Sequence, residues 1–140
     1  LHPILHSFPT RRSSDLLNLH DLDKIIVTDK KWLLVVIEQI LSNSLKYTKE
    51  GGLEIYMEGQ ELCIKDTGIG IKNSDVLRVF ERGFSGYNGR LTQQSSGLGL
   101  YLSKKISEEL GHQIRIESEV GTGTTVRIKF ADINLRIEWA

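Results

Sequence analysis

The stretch EQILSNSLKYT, residues 38–48, continues a run, WLLVVI at 32–37, that is apolar enough to be a buried helix, yet it places Gln39, Asn43 and Lys46 at helical spacing. At about 100° per residue these three positions fall within about 60° of one another, so they form one polar stripe on an otherwise Leu, Ile and Val surface. A water-facing side explains such a stripe taken alone. The helix is expected to start at an N-cap of Thr28 or Asp29, to run through KKWLLVVIEQILSNSLKY, and to end at Gly51 and Gly52.

Outward from that helix the pattern stays regular. Upstream, LNLHDLDKIIV suggests one or two short strands. Downstream, LEIYM and ELCIKD alternate apolar and polar residues around the turn EGQ, as an antiparallel hairpin with one buried face requires. Ser74 is placed to cap a short helix, DVLRVFER, with Val76, Leu77 and Phe80 on one side. Residues 83–97, GFSGYNGRLTQQSSG, are Gly-rich and polar and read as a mobile loop. A third helix, LGLYLSKKISEEL, spaces Leu98, Leu102, Ile106 and Leu110 four apart and meets Gly111 as its stop. QIRIESE and TTVRIKF, joined by VGTG, make a second hairpin, and DINLRIEWA at 132–140 alternates as an edge strand or tail does. Helices separated by antiparallel hairpins predict an α+β two-layer sandwich, a mixed and mostly antiparallel sheet covered on one face by about three helices. Glu54, Lys65, Arg115, Glu117, Arg127 and Lys129 then point to the open, solvated face.

With 140 residues, the chain suits one domain with its own core, assigned to residues 17–131. Basic and acidic side chains number 18 each, which removes any overall electrostatic reason to expect a nucleic-acid or anionic-membrane partner. The single Cys63 reads as a small buried thiol. No apolar run approaches the roughly 18 residues of a membrane span, so no direct insertion is expected. Residues 1–16 stand apart: HSFPTRRSSDL, at 6–16, lacks periodicity and resembles the in-frame translation of a sequencing adapter, so this segment reads as an artefact or a disordered tail.

Three further stretches carry chemistry. DTGIGI, residues 66–71, leaves the strand ELCIK with one carboxylate, Asp66, and two alternate glycines, Gly68 and Gly70. A carboxylate acceptor beside backbone free to take unusual angles suits a flat ligand carrying an exocyclic amine; a plain Asp-Gly turn is the simpler alternative. SSGLGL, residues 95–100, puts Gly97 and Gly99 at the start of the last helix, where unpaired N–H groups favour phosphate oxygens. GTGTT, residues 121–125, is by itself only a hairpin turn. His2, His6, His20 and His112 occur singly, and none reads as a phosphorylated residue.

The order of these elements resembles the ATP-binding domain shared by sensor histidine kinases, type II topoisomerases and the heat-shock chaperone ATPases. Its N box corresponds to Asn43, Lys46 and Tyr47, its G1 box to Asp66, Gly68 and Gly70, its F box to Phe80 and Phe84, and its G2 box to Gly97 and Gly99. The resemblance spans about residues 20–131. NSLKYT and FERGF look like histidine kinases, and KWL, GFSGYNGR and SSGLGLYL are similar to the intramembrane-sensing kinases that respond to bacitracin-like cell-envelope antibiotics.

The resemblance implies a Bergerat-type fold that turns the polar stripe toward a nucleotide pocket. Asn43 would give a carbonyl oxygen to Mg²⁺, with Lys46 and Tyr47 near the phosphates of ATP. Asp66 would accept the adenine amine, Gly68 and Gly70 would leave room for the base beside Ile71, Phe80 and Thr124, and Gly97 and Gly99, with the N–H groups of Leu98 and Leu100, would cradle the phosphates. Gln39 stands where many histidine kinases carry a second Asn. In the short lid, Arg90 or Arg82 would stabilise charge in transfer, with Arg90 preferred because its flanking glycines let it swing inward. The implied partners are a dimerisation domain bearing the phosphoaccepting His, a response regulator and an ABC transporter, around a cytoplasmic domain of a membrane-anchored bacterial protein. The alternatives are a nucleotide-binding module without turnover and a serine kinase of the same fold acting on an anti-sigma-type partner.

Overall fold

A computed structural model describes residues 17–48, 50–84 and 99–131. Its elements run β1 (Leu17–His20), α1 (Lys30–Tyr47), β2 (Leu53–Glu58), β3 (Glu61–Asp66), α2 (Asn73–Val76), α3 (Gly99–Glu109), β4 (Gln113–Glu119) and β5 (Gly123–Lys129). The five strands form one sheet in the order β1-β2-β3-β5-β4. β1 and β2 are parallel, and every other pair is antiparallel. The predicted fold class is the observed one.

Register explains the layers. Leu53 faces Asp66, Ile55 faces Ile64 and Met57 faces Leu62 across β2–β3, while Ile64 faces Val126 and Leu62 faces Ile128 across β3–β5. Side chains alternate along a strand, so these positions share one face. Against it α1 lays Val36, Ile40 and Leu41, and these close the core with Leu53, Leu62, Ile64, Val126, Ile128 and Phe130. The 36-40-44 spacing of the buried α1 positions leaves Gln39 and Asn43 half-buried at its flank.

Asp29 caps α1, its carboxylate accepting the Trp32 N–H at 3.3 Å. Thr28 is engaged elsewhere. Its hydroxyl lies 2.8 Å from His112 Nε2, and His112 Nδ1 accepts the Ala131 N–H at 3.1 Å, which leaves the ring hydrogen on Nε2 to be donated to Thr28. His112 is 3% exposed, packs edge-on against Phe130, and burial lowers its pKa. Unfolding frees a ring that protonates more readily, so this contribution to stability is complete above about pH 6.5 and is lost as pH falls through the lower folded value. A His112→Asn chain is expected to be less stable at pH 7 and to show a flatter stability profile between pH 7 and 5, read from denaturant melts across that range.

Two helices depart from their sequence patterns. α2 is only four residues long, and Ser74 lies inside it rather than capping it. The chain continues in i→i+3 bonds from Arg78 N–H to Asp75 O, Glu81 N–H to Arg78 O and Phe84 N–H to Glu81 O. Three-residue spacing turns Val79 inward at 6% exposure and throws Leu77 outward at 90%, in place of the expected Val76, Leu77 and Phe80 face. In α3 the buried positions are Ser103 and Ser107, while Leu102 is 39% exposed. α3 lies directly alongside α1. Small side chains permit that approach, and Ser103 satisfies its hydroxyl on Gly99 O at 2.8 Å. Gly111 ends α3 at φ +82°, as expected. Residues 1–16 and 132–140, read as an artefact or tail and as an edge strand or tail, lie outside the described residues.

The open face of the sheet carries the expected charges, with Glu54, Arg115, Glu117 and Arg127 drawn into pairs. Arg127 bridges Glu58 at 2.9 Å and Glu117 at 3.2 Å, Arg115 pairs with Glu61 at 3.1 Å and with Glu117, and Arg127 covers the fully buried Cys63 thiol, whose pKa burial raises. His20 stacks on Tyr56 between Asp21 and Glu54, which together raise its pKa. No described helix is long and apolar enough to cross a membrane.

Candidate functional site: a carboxylate at a strand end beside the polar flank of α1

Asp66 ends β3 on the inward face and is 5% exposed. Its Oδ1 accepts the Gly68 N–H at 2.9 Å and the Thr124 N–H at 3.3 Å. Burial pushes the carboxyl above its ordinary range, and those two N–H groups, with the hydroxyls of Ser44 and Thr48, oppose it. A buried carboxyl whose pKa burial raises, opposed by uncharged donors, is a candidate for a functional group.

The loop after Asp66 is wedged between α1 and the β4–β5 turn. Ile69 N–H donates to Tyr47 O at 3.1 Å, Gly121 N–H to Ile69 O at 2.9 Å, and Thr67 N–H to Gly52 O at 3.2 Å. Ile71 N–H donates to Ser118 Oγ at 2.8 Å; Ser118 donates to Gly123 O at 3.0 Å, which leaves the Thr124 hydroxyl to donate to Ser118 at 2.7 Å. The space beside the glycines is protein. A Cβ at Gly68 would fall on Tyr47 O, 2.7 Å from Thr48 Oγ1 and 2.9 Å from Asp66 Oδ1; one at Gly70 would fall on Glu119 O; one at Gly123 would fall on Asp66 O. Gly70 and Gly123 also adopt φ of +76° and +137°.

Midway along α1, Gln39 Oε1 lies against Gly99, the first residue of α3, where a Cβ would approach it to 3.1 Å. Thus one helix touches the start of α3 through Gln39 and the Asp66 loop through Tyr47 and Thr48, about 13 Å apart along its axis. Asn43 lies between them, half-buried, and Lys46 is exposed. Leu100 is half-buried in α3, and Phe80 is half-buried with Lys104 Nζ 5.4 Å from its ring centre. Arg78 lies 4.6 Å over Phe84 and Arg82 6.0 Å over Tyr101. Arg90, Gly97 and Leu98 lie outside the described residues. Among the described residues no three His, Cys, Asp or Glu side chains gather to hold a metal. Sequence reasoning passed over Ser44, Thr48 and Ser118; only the β4–β5 register, which sets Ser118 opposite Thr124, exposes the last.

A sheet covered by helices on one face, with a buried carboxylate at one end of a polar helix flank and a helix start at the other, is the layout of a nucleotide-binding α+β domain. The chain matches the family of histidine kinase-, DNA gyrase B-, and HSP90-like ATPases over residues 28–133, and it belongs to that family. It is 44% identical over 113 residues to the sensor protein kinase GraS of Staphylococcus aureus strains JH1 and Newman, a match covering 78% of this chain and 33% of theirs. The chain thus spans about a third of the length of these curated relatives. Among solved structures it is similar to the mycobacterial sensor histidine kinase MprB, at a TM-score of 0.69 and 26% identity, covering 85% of this chain and 83% of that one. Full-length ShkA in complex with AMPPNP shares the fold at a TM-score of 0.64 and 21% identity, covering 81% of this chain and 24% of that one.

Proposed function

We propose that this chain is the catalytic domain of a two-component sensor histidine kinase, which binds Mg·ATP along the flank of α1 and donates the γ-phosphoryl group to a histidine on a separate dimerisation domain. The observation that carries the reading is that α1 touches both the Asp66 loop and Gly99, two points the length of an extended nucleotide apart. Asp66 accepts the adenine amine through Oδ2, since Oδ1 already holds two N–H donors. Gly99 and Leu100, with Gly97 and Leu98, offer N–H groups to the phosphates, and Lys46 and Tyr47, nearer the Asp66 loop on α1, serve the stretch of nucleotide between phosphates and base. The half-buried amide of Asn43 suits magnesium, which prefers neutral and anionic oxygens together with phosphate; the ion would draw off charge as the transfer proceeds.

In the transfer the acceptor imidazole nitrogen forms a bond to the γ-phosphorus as the bond to the β–γ bridging oxygen breaks, ADP departs, and the imidazole proton is lost on the acceptor side. This domain's residues position and neutralise; they supply no nucleophile. Arg90, or Arg82 above Tyr101, serves the transferred group. A response regulator then takes the phosphoryl group. The similarity to GraS and to the antibiotic-sensing kinases supports a membrane-anchored parent whose cytoplasmic part includes this chain and which works beside an ABC transporter.

Titration with ATP, with and without Mg²⁺, followed by mixing with a dimerisation domain, tests this. The expected result is Mg-dependent binding that Asn43→Ala weakens at least about tenfold, with phosphohistidine appearing only on the added domain. Absence of ATP binding, or phosphohistidine on the isolated chain, contradicts the reading.

A further inference from the structure

Three hydroxyls surround Asp66: those of Ser44, Thr48 and Thr124. The Thr124 hydroxyl is committed to Ser118, and only its backbone N–H serves the carboxylate. Thr48, at the C-cap of α1, is 1% exposed, and its Oγ1 has no partner in full hydrogen-bond geometry among the described residues, yet it acts on the Asp66 carboxyl in the direction a donor does. That oxygen and Asp66 Oδ1 lie 2.7 and 2.9 Å from the same point beside Gly68. A buried hydroxyl without an acceptor is costly, and the anionic oxygen that the described residues place beside this one is Asp66 Oδ1.

We propose that Thr48 is a positioning residue for the base subsite: its buried hydroxyl donates to the Asp66 carboxylate and fixes which oxygen meets the exocyclic amine of adenine. This rests on the reading of Asp66 in the proposed function. The groups acting on Asp66 are all uncharged: Ser44 and Thr48 from α1, Gly68 from the following loop and Thr124 from β5. Lys65, its neighbour on β3, points to the opposite face of the sheet, and Lys46 on α1 is exposed. Hydroxyl donation therefore lowers the pKa of the acid against its burial, alongside the two N–H groups and in the direction that both hydroxyls act.

Thr48→Val removes the hydroxyl while keeping the branch and nearly the volume, and Thr48→Ser keeps the donor. Side-chain carboxyl NMR follows the titration of Asp66 in the nucleotide-free chain, and ADP affinity is measured across pH. In Thr48→Val, Asp66 is expected to titrate at higher pH than in the parent, and ADP affinity at neutral pH is expected to fall about tenfold. The acid limb of the affinity profile moves upward with it, and Thr48→Ser restores both. An Asp66 titration unmoved in Thr48→Val overturns the proposal, as does an affinity loss equal at every pH. Should Val crowd the site and unfold the chain, Thr48→Ala gives the same comparison. A parent chain that fails to bind ADP overturns the nucleotide reading instead, while the NMR titration still decides whether Thr48 is the donor.

Discussion

Asp66→Asn is expected to stabilise the nucleotide-free chain at neutral pH and to cost it about a hundredfold in ADP affinity. Burial raises the pKa of Asp66, so its contribution to stability is fully present below the ordinary carboxylate value of about 4 and is lost as pH rises through the folded value. Once pH exceeds the folded value, the folded chain carries a buried charge that the unfolded chain does not have to bury. An amide removes that penalty and leaves the Gly68 and Thr124 N–H bonds intact, because both go to Oδ1. Those same two donors hold the amide oxygen in place of Oδ1 and turn its NH₂ toward the ligand. The adenine amine then meets a donor instead of an acceptor, which costs about 3 kcal/mol relative to the carboxylate. Melting temperatures at pH 4 and pH 7, together with ADP titration, test both halves. A variant less stable than the parent at pH 7, or one binding ADP normally, contradicts the account of Asp66.

Gly123→Ala should be among the most damaging single-methyl additions at the described glycines. Its Cβ would land on the backbone oxygen of Asp66 and within 3.0 Å of Thr67 Cα, at a φ of +137°. Backbone cannot swing aside as a long side chain can, and steric overlap adds to conformational strain, for a loss of about 4 kcal/mol. Gly121→Ala is the control: its φ of +83° is also unusual, but nothing lies within 4 Å of the added methyl, so only the strain, about 1 kcal/mol, remains. Chemical denaturation of the two variants measures the gap. Equal losses would show that conformation alone decides, and that the close packing of the β5 start on Asp66 is immaterial.

The sandwich was legible wherever side chains alternate or repeat regularly. ELCIKD and TTVRIKF show two-residue alternation, and the register set Ile64 opposite Val126 accordingly. The same rule held only in part at α3: of the stripe Leu98, Leu102, Ile106 and Leu110, Ile106 packs against the core and Leu110 is half-buried, but Leu102 is 39% exposed and Leu98 lies outside the described residues. The most deeply buried positions are Ser103 and Ser107, whose small side chains suit the close approach of α3 to α1. The DVLRVFER segment misled for a related reason: a chain of three-residue turns has a different period from the α-helix assumed for it.

At the site, Asp66 was readable because a carboxylate ending an inward-facing strand position is unusual. Thr48 was not, because a threonine closing a helix looks like ordinary end chemistry until its hydroxyl proves to be buried and unanswered. The glycines were read for the space they leave to a ligand. That space is taken by Tyr47 O and Glu119 O, so their small size serves the fold directly, whatever it also does for a base.

This crowding has a practical side. An inhibitor lodged beside the loop from Asp66 to Gly70 would leave a resistant variant few escape routes, since thickening the loop to evict the drug would first wreck the protein. Resistance would have to arise at side chains that can change without moving backbone, Ser44 and Thr48 foremost, and there a lost hydroxyl would weaken the grip on ATP along with the grip on the drug.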